Sequence, residues 1–390
     1  MLQLQVIAEK RLVARKLRNW AGAALTLAAA LAIADATVAA DGKGNAAAGS
    51  PSGRDPFWTA ARLRDAKPRP LPGAPAIEDQ SGAASAKATG TGPSASTDGR
   101  PPMVELPPAW NNRLFEPAKP KSSGVSAQAA VEPQAKGSSG FPFTTSRVFP
   151  DAAVTTYPYR AAGKLFGRDP RTNTTFVCSA AVIAKRLIGT AGHCVYDTAK
   201  NYFLDKFLFV PAFKSGAAPY GSWDWAWVYA ANTWINANGS LPNNGDFAII
   251  ELTDETVGGR VQKLGDVTGW LGWQTAGLVG QHVRTLGYPT NIDNGQRMEE
   301  TNAEVRSVPG FNAGQLGSDQ RNGSSGGPWI RDFGVQGSGD PTGTSARNRI
   351  VGYTSYGPTN LGPRYQGASI LNSEWQNMYN QACRRLPGNC

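Results

Sequence analysis

From residue 148 onward the chain is a series of short apolar and β-branched runs, each ended by glycine, proline or asparagine. Examples are TTFVCSAAVI (174–183), NYFLDKFLFVPAF (201–213), WAWVYAANTWI (225–235), DFAIIEL (246–252) and RIVGYTSYG (349–357). Runs this short, rich in Val, Ile, Tyr, Phe and Trp, suit pleated and half-buried strands. The pattern predicts an all-β domain folded as an antiparallel sandwich or barrel. Helical spacing emerges only near the end, where Leu371, Trp375, Met378 and Tyr379 predict one C-terminal helix.

The first 147 residues have another character. All 11 tyrosines, all four cysteines and eight of the 11 tryptophans follow Arg147. What precedes it is mostly Ala, Gly, Pro and Ser, too poor in apolar side chains to offset its ordering entropy. A globular domain is therefore expected over 148–390, behind a disordered leader. Within that leader, Lys10, Arg11, Arg15, Lys16 and Arg18 precede an apolar run that begins at Ala21 and ends before Asp35. The run is shorter than a membrane span, and small residues follow it at Val38, Ala39 and Ala40, which predicts a cleaved signal peptide over 1–40. Residues 41–147 read as a low-complexity propeptide or linker, in which FWTAARL and AWNNRLFEP are apolar islands able to touch the folded domain. A secreted or periplasmic protein without a stable membrane anchor follows. Of the formal charge of +10, the leader holds 18 Lys/Arg against 11 Asp/Glu, and the domain 21 against 18. Basic charge is not concentrated on the folded part, which argues against nucleic-acid binding.

In an exported chain, Cys178, Cys194, Cys383 and Cys390 predict two disulfides; three pairings are open, and the local one, Cys178–Cys194 with Cys383–Cys390, is simplest. No metal site is expected, since the two histidines lie 89 positions apart and no C-x-x-C occurs. The stretch RNGSSGGPW (321–329) holds two serines among glycines. It fits a G-x-S-x-G elbow, whose histidine follows the serine, or an order in which histidine and aspartate come first. His193 and His282 both precede Ser325, so only the second order can be built. His193 follows an apolar strand in IGTAGHC, whereas His282 lies within a strand pattern and is expected to be structural. Asp246, at the mouth of the apolar strand in GDFAIIEL, is the favoured carboxylate over Asp224 and Asp197.

The blocks CSAAVIAKRLIGTAGHC, GDFAIIEL and GSSGGP, in that order, resemble the three catalytic blocks of trypsin/chymotrypsin-like serine proteases. TTYPYRAAGKLF and VRTLGYP look more like the bacterial glutamyl-endopeptidase branch. The resemblance implies two six-stranded antiparallel barrels with the cleft between them, and the Cys178–Cys194 pairing matches the family's histidine-loop disulfide. It also implies a cofactor-free, monomeric serine endopeptidase acting on protein or peptide substrates. Ser325 would be the nucleophile, His193 the base and Asp246 its partner, with the N–H groups of Gly323 and Ser325 as the oxyanion hole. A catalytically inactive binding module and an esterase using the same triad are the alternatives.

Substrate-binding positions are implied in the same way. Asp319 falls where trypsin keeps its pocket aspartate and would favour basic side chains. Thr354 or Ser355 stands where the glutamyl-endopeptidase branch reads glutamate with a histidine, and Ser355, Tyr356 and Gly357 resemble the segment that pairs with substrate backbone. Arg147–Val148 resembles an activation cleavage site. The aspartate that pairs with the new N-terminus in pancreatic enzymes is replaced by Ser324, which cannot form that ion pair.

Overall fold

The computed structural model describes residues 38–41, 54–73, 95–117, 142–334, 347–358 and 364–390. Apart from Val38–Ala40, the expected signal peptide lies outside them. No helix among the described residues is long and apolar enough to cross a membrane.

Thirteen strands carry the fold: β1 (Phe143–Arg147), β2 (Ala162–Asp169), β3 (Thr174–Val182), β4 (Leu187–Thr190), β5 (Asp205–Pro211), β6 (Trp223–Ala230), β7 (Ala248–Leu252), β8 (His282–Gly287), β9 (Glu299–Glu304), β10 (Ala313–Leu316), β11 (Pro328–Arg331), β12 (Arg349–Tyr356) and β13 (Gln366–Ile370). The apolar runs read from the sequence become strands because each can bury side chains on a shared core. In β7 every residue from Ala248 to Leu252 is buried.

The first six-stranded unit runs β6-β5-β2-β3-β4-β7, and β7 returns to pair with β6, so the sheet closes into a barrel. Its strands bury side chains on both faces: Leu165, Phe166, Phe207, Val228 and Ile249 are all 0% exposed. The second sheet runs β10-β13-β12-β11-β8-β9-β1 and does not close. Two antiparallel barrels were expected; in keeping with that class of fold, the first closes and the second is a half-barrel. The physical reason lies at its edges. One edge, on β9, is taken by β1 with Thr145 opposite Thr301. The other, on β10, is taken by Arg306–Ser307. Each of those two segments keeps an outer edge, and among the described residues the two are not paired with each other, so the sheet stays open.

The C-terminal helix, Ser373–Arg385, is present as expected. Asn372 caps it by accepting from the N–H groups of Glu374 and Trp375, and it buries Trp375, Met378 and Ala382. At its far end Arg385 pairs with the buried carboxylate of Glu251, and Cys383–Cys390 is bonded.

The described parts of the leader, the two apolar islands among them, are built into the fold. Trp58, Leu63, Leu114 and Phe115 are buried in the main hydrophobic cluster, which also holds most of the first barrel's apolar side chains. Trp58 Nε1 donates to the Lys206 carbonyl at 2.9 Å, and Lys206 meets Asp55 at 2.9 Å. Thr59 caps a short helix, Ala60–Asp65. A buried aromatic or leucine contributes roughly 1.5–3 kcal/mol, so the two apolar islands anchor a segment whose bulk composition argues against order. The boundary drawn at Arg147 falls at the end of β1, inside the second sheet.

Candidate active site

His193 lies in a single tight turn, Gly192–Cys194, directly after β4. The Cys178–Cys194 disulfide ties that turn to β3. Asp246 sits two residues before β7, so both side chains come from the closed barrel. The Asp246 carboxylate is fully buried and has three donors. Oδ1 accepts the His193 backbone N–H at 2.8 Å; Oδ2 lies 2.9 Å from His193 Nδ1 and accepts from Ser355 Oγ at 2.5 Å. Three bonds offset the desolvation that a lone buried carboxylate would suffer. The contact at Nδ1 selects the tautomer that carries its proton there, leaving the Nε2 lone pair to accept one.

Ser325 comes from the loop before β11. The loop is bolted to the closed barrel by Ser179 on β3, whose N–H donates to the Ser325 carbonyl at 2.7 Å. The Ser179 hydroxyl donates to the Gly323 carbonyl at 2.9 Å and accepts from Tyr288 N–H at 3.0 Å. On the other side, Gly326 N–H donates to the Thr354 carbonyl at 2.8 Å, and Thr354 N–H to the Gly327 carbonyl at 2.9 Å. Two glycines are required by this wedge. Gly326 has φ +76°, and a Cβ there would lie 2.0 Å from Thr190 Oγ1, 2.4 Å from the Ser179 carbonyl and 2.9 Å from Ala191 N. Gly323 has φ +95°, and its Cβ would lie 2.5 Å from the Tyr288 carbonyl. The close approach of Gly326 to Ala191 brings the serine loop up to the histidine turn.

Three N–H groups of the loop, those of Ser324, Gly326 and Gly327, are bonded to carbonyls. Among the described residues the N–H groups of Gly323 and Ser325 donate to none, so they can receive a developing oxyanion. His193 Nε2 and Ser325 Oγ are buried and share no hydrogen bond here. Such bonds are often long before substrate binds.

The neighbouring Ser324 turns away from the centre. Its hydroxyl donates to the Arg321 carbonyl at 2.6 Å and accepts from Gln366 Nε2 at 2.7 Å. Neutral hydrogen bonds thus satisfy the Ser324 hydroxyl. Arg147 is paired with Asp293, bonded at 2.6 Å and 2.7 Å. The Val148 N–H donates to the Met298 carbonyl at 3.0 Å.

Several expected positions have other engagements. Ser355 is committed to Asp246 through its hydroxyl, not turned to a substrate side chain. The Thr354 hydroxyl accepts from Trp329 Nε1 at 2.9 Å, and the Tyr356 hydroxyl accepts from Gln315 Nε2 at 2.9 Å. Asp319 is half-buried and meets Arg364 at 2.9 Å. Its pKa is raised, first by burial and against the pull of Arg364 and Arg321. The carboxylate therefore already has a cationic partner, which weakens the case for direct pairing with a basic substrate. Gly357 N–H donates to the Pro72 carbonyl at 3.3 Å. The rejected candidates lie elsewhere in function: His282 is exposed at the start of β8, Asp224 accepts the Asp55 N–H at 2.7 Å, and Asp197 accepts the Lys200 N–H at 3.0 Å.

Ser179 and Gln366 were not singled out from the sequence. The one signal for Ser179 is a hydroxyl inside the otherwise apolar VCSAAV; Gln366 gives none.

The meeting of a closed barrel and a curled sheet around His193 defines a trypsin-like class of protein. The chain matches the family described as Trypsin over residues 151–361, more than half its length. It belongs to that family. Its relatives include an extracellular metalloprotease of Bacillus subtilis, 25% identical over 230 residues that make up 58% of this chain and 66% of that protein. A glutamyl endopeptidase of Bacillus licheniformis is 27% identical over 150 residues, 38% of this chain and 42% of that one. The chain thus spans less than two thirds of either relative. Among solved structures, a thermostable serine protease, AL20, from an extremophilic microorganism is 27% identical with a TM-score of 0.49, covering 58% of this chain and 98% of that one.

The first relative's name raises the question of a metal. Among the described residues one group could offer ligands, Cys178, His193 and Cys194. Its cysteines are bonded to each other and His193 Nδ1 faces Asp246. That donor set does not fit a metal ion.

Proposed function

We propose that the protein is a secreted serine endopeptidase that hydrolyses peptide bonds through an acyl-enzyme. The observation that carries the reading is the buried Asp246 carboxylate, which holds His193 by both ring and backbone beside a serine loop caged by Gly323 and Gly326. A buried carboxylate that orients an imidazole is a costly arrangement unless the imidazole has work to do.

In the proposed reaction Ser325 Oγ attacks the scissile carbonyl carbon while His193 Nε2 takes the hydroxyl proton. Asp246 holds the resulting imidazolium and stays ionised. The carbonyl oxygen becomes negative within reach of the Gly323 and Ser325 N–H groups. Collapse breaks the C–N bond as His193 returns the proton to the departing amine, leaving an ester on Ser325. Water then repeats the sequence: His193 takes its proton, the acyl carbon gains a hydroxyl, and Ser325 recovers its hydrogen. Ser179, Ser355 and Gln366 are positioning residues, each acting through the loop or carboxylate it holds.

A fluorophosphonate probe tests the reading. It should label the wild-type protein and fail on Ser325→Ala and His193→Ala, and the labelled protein should lose its ability to clear casein. No labelling would return the chain to a binding role; labelling without casein cleavage would favour an esterase. Cell fractionation tests export, with the protein expected outside the cytoplasm.

A further inference from the structure

The proposed nucleophile and base have almost no contact with solvent: Ser325 is 0% and His193 3% exposed. Crossing them is a piece of the leader, residues 67–73, with the sequence KPRPLPG. Proline stands at 68, 70 and 72, so only alternate residues own a backbone N–H.

Those N–H groups are directed at the cleft. Arg69 donates to the Val177 carbonyl at 3.0 Å, and Leu71 donates to Asn322 Oδ1, on the serine loop, at 2.9 Å. At one end Lys67–Pro68 pairs in parallel with Phe176 and Val177. At the other, Gly73 bridges Gly357 in parallel, and Gly357 N–H binds the Pro72 carbonyl. The Arg69 side chain donates through Nε to the carbonyl of His193 itself at 2.6 Å, and its guanidinium lies 5.3 Å from the Phe176 ring centre. Leu71 is 4% exposed and comes within 3.3 Å of where a Cβ on Gly357 would stand.

We propose that residues 67–73 form a built-in inhibitory strap that occupies the substrate cleft in the reverse chain direction. The proposal deepens the endopeptidase reading and rests on it for the meaning of the cleft. Direction follows from the chemistry. His193 must hand its proton to the departing amine, so the C-terminal half of a substrate lies on the histidine's side. In the strap that side holds the N-terminal half, from Lys67 to Arg69, while the C-terminal half runs to Gly357. A chain threaded this way presents its carbonyl and nitrogen to Ser325 and His193 in the wrong order. Three of its peptide nitrogens are also proline nitrogens. Alternating proline pre-sets an extended backbone, so little entropy is lost on docking. The anchors at Trp58 and Leu114 on either side keep the strap at high local concentration.

The test uses the full-length chain, comparing wild type with Arg69→Ala/Leu71→Ala and with the milder Leu71→Ala. The fluorophosphonate should label Ser325 about tenfold or more faster in the double variant, the ratio that one modest contact energy commands. Equal rates, with labelling abolished by Ser325→Ala in each background, would overturn the strap and leave the hydrolase standing. Hydrogen exchange at Gly357 gives a readout independent of activity. Its amide should be protected in wild type and exchange faster in either variant, with the barrel strands unchanged as a check on folding. Unchanged protection at Gly357 would overturn the strap; lost protection without labelling in any form would uphold the strap and remove the hydrolase reading.

Discussion

Ser355→Ala separates two roles for one hydroxyl. The position lies on the segment expected to meet substrate, yet its Oγ donates to Asp246 Oδ2 at 2.5 Å. A hydrogen bond to a charged group is worth about 1.5–3 kcal/mol. Removing it leaves Asp246 with two donors, both from His193, and frees the carboxylate to swing about them. If half or more of that energy positions the imidazole in the transition state, kcat should fall by roughly 3–150-fold, at about 1.4 kcal/mol per tenfold. KM should hardly change if the hydroxyl serves Asp246 alone. The melting temperature should drop by about 2–4 °C per kcal/mol lost. Steady-state kinetics on a chromogenic peptide, with a thermal melt of the same preparations, provide the assay. A raised KM with unchanged kcat would refute the reasoning and return Ser355 to substrate binding.

Three further outcomes are expected. Gly326→Ala places a methyl 2.0 Å from Thr190 Oγ1 at φ +76°, and should slow probe labelling at least about 100-fold, the cost typical of losing an oxyanion donor; wild-type labelling rates would contradict the wedge. Glu299 is fully buried, and burial, aided by the nearby charge of Asp293, raises its pKa to about 8. Its folded form therefore holds a proton between its unfolded value and about pH 8, so it weakens the fold progressively as pH rises through that window. Glu299→Gln should raise the melting temperature at pH 8 and leave it unchanged near pH 4, and a gain that does not depend on pH would refute this. Lys164 is fully buried with its pKa lowered by desolvation to about 7, and that penalty is present below pH 7 and relieved towards pH 10. Lys164→Met should stabilise most at or below neutral pH, as chemical denaturation would show.

Much of the site was legible because its parts are local. A histidine beside a cysteine, an aspartate at a strand mouth and a serine among glycines each carry their chemistry in a few consecutive residues. The engagements of Ser355, Ser179 and Gln366 were not legible, since single polar residues in strands leave no periodic trace and their partners lie 109, 144 and 42 residues away. The apolar runs pointed to an antiparallel sandwich or barrel without choosing between them, since closure of the first sheet and the open second one depend on which segments pair at their rims. In the leader, the islands holding Trp58 and Leu114 stood out from the alanine, glycine and serine around them, whereas the alternating prolines at 68, 70 and 72 gave no sign of where that segment lies, because they act by position and not by abundance.

A crystal structure of the fluorophosphonate adduct tests the central claim most directly. The phosphorus should be bonded to Ser325 Oγ, with one phosphoryl oxygen about 3 Å from the N–H groups of Gly323 and Ser325 and His193 Nε2 facing the leaving side. Phosphorus on any other residue, or an oxygen that points away from both N–H groups, would contradict the account.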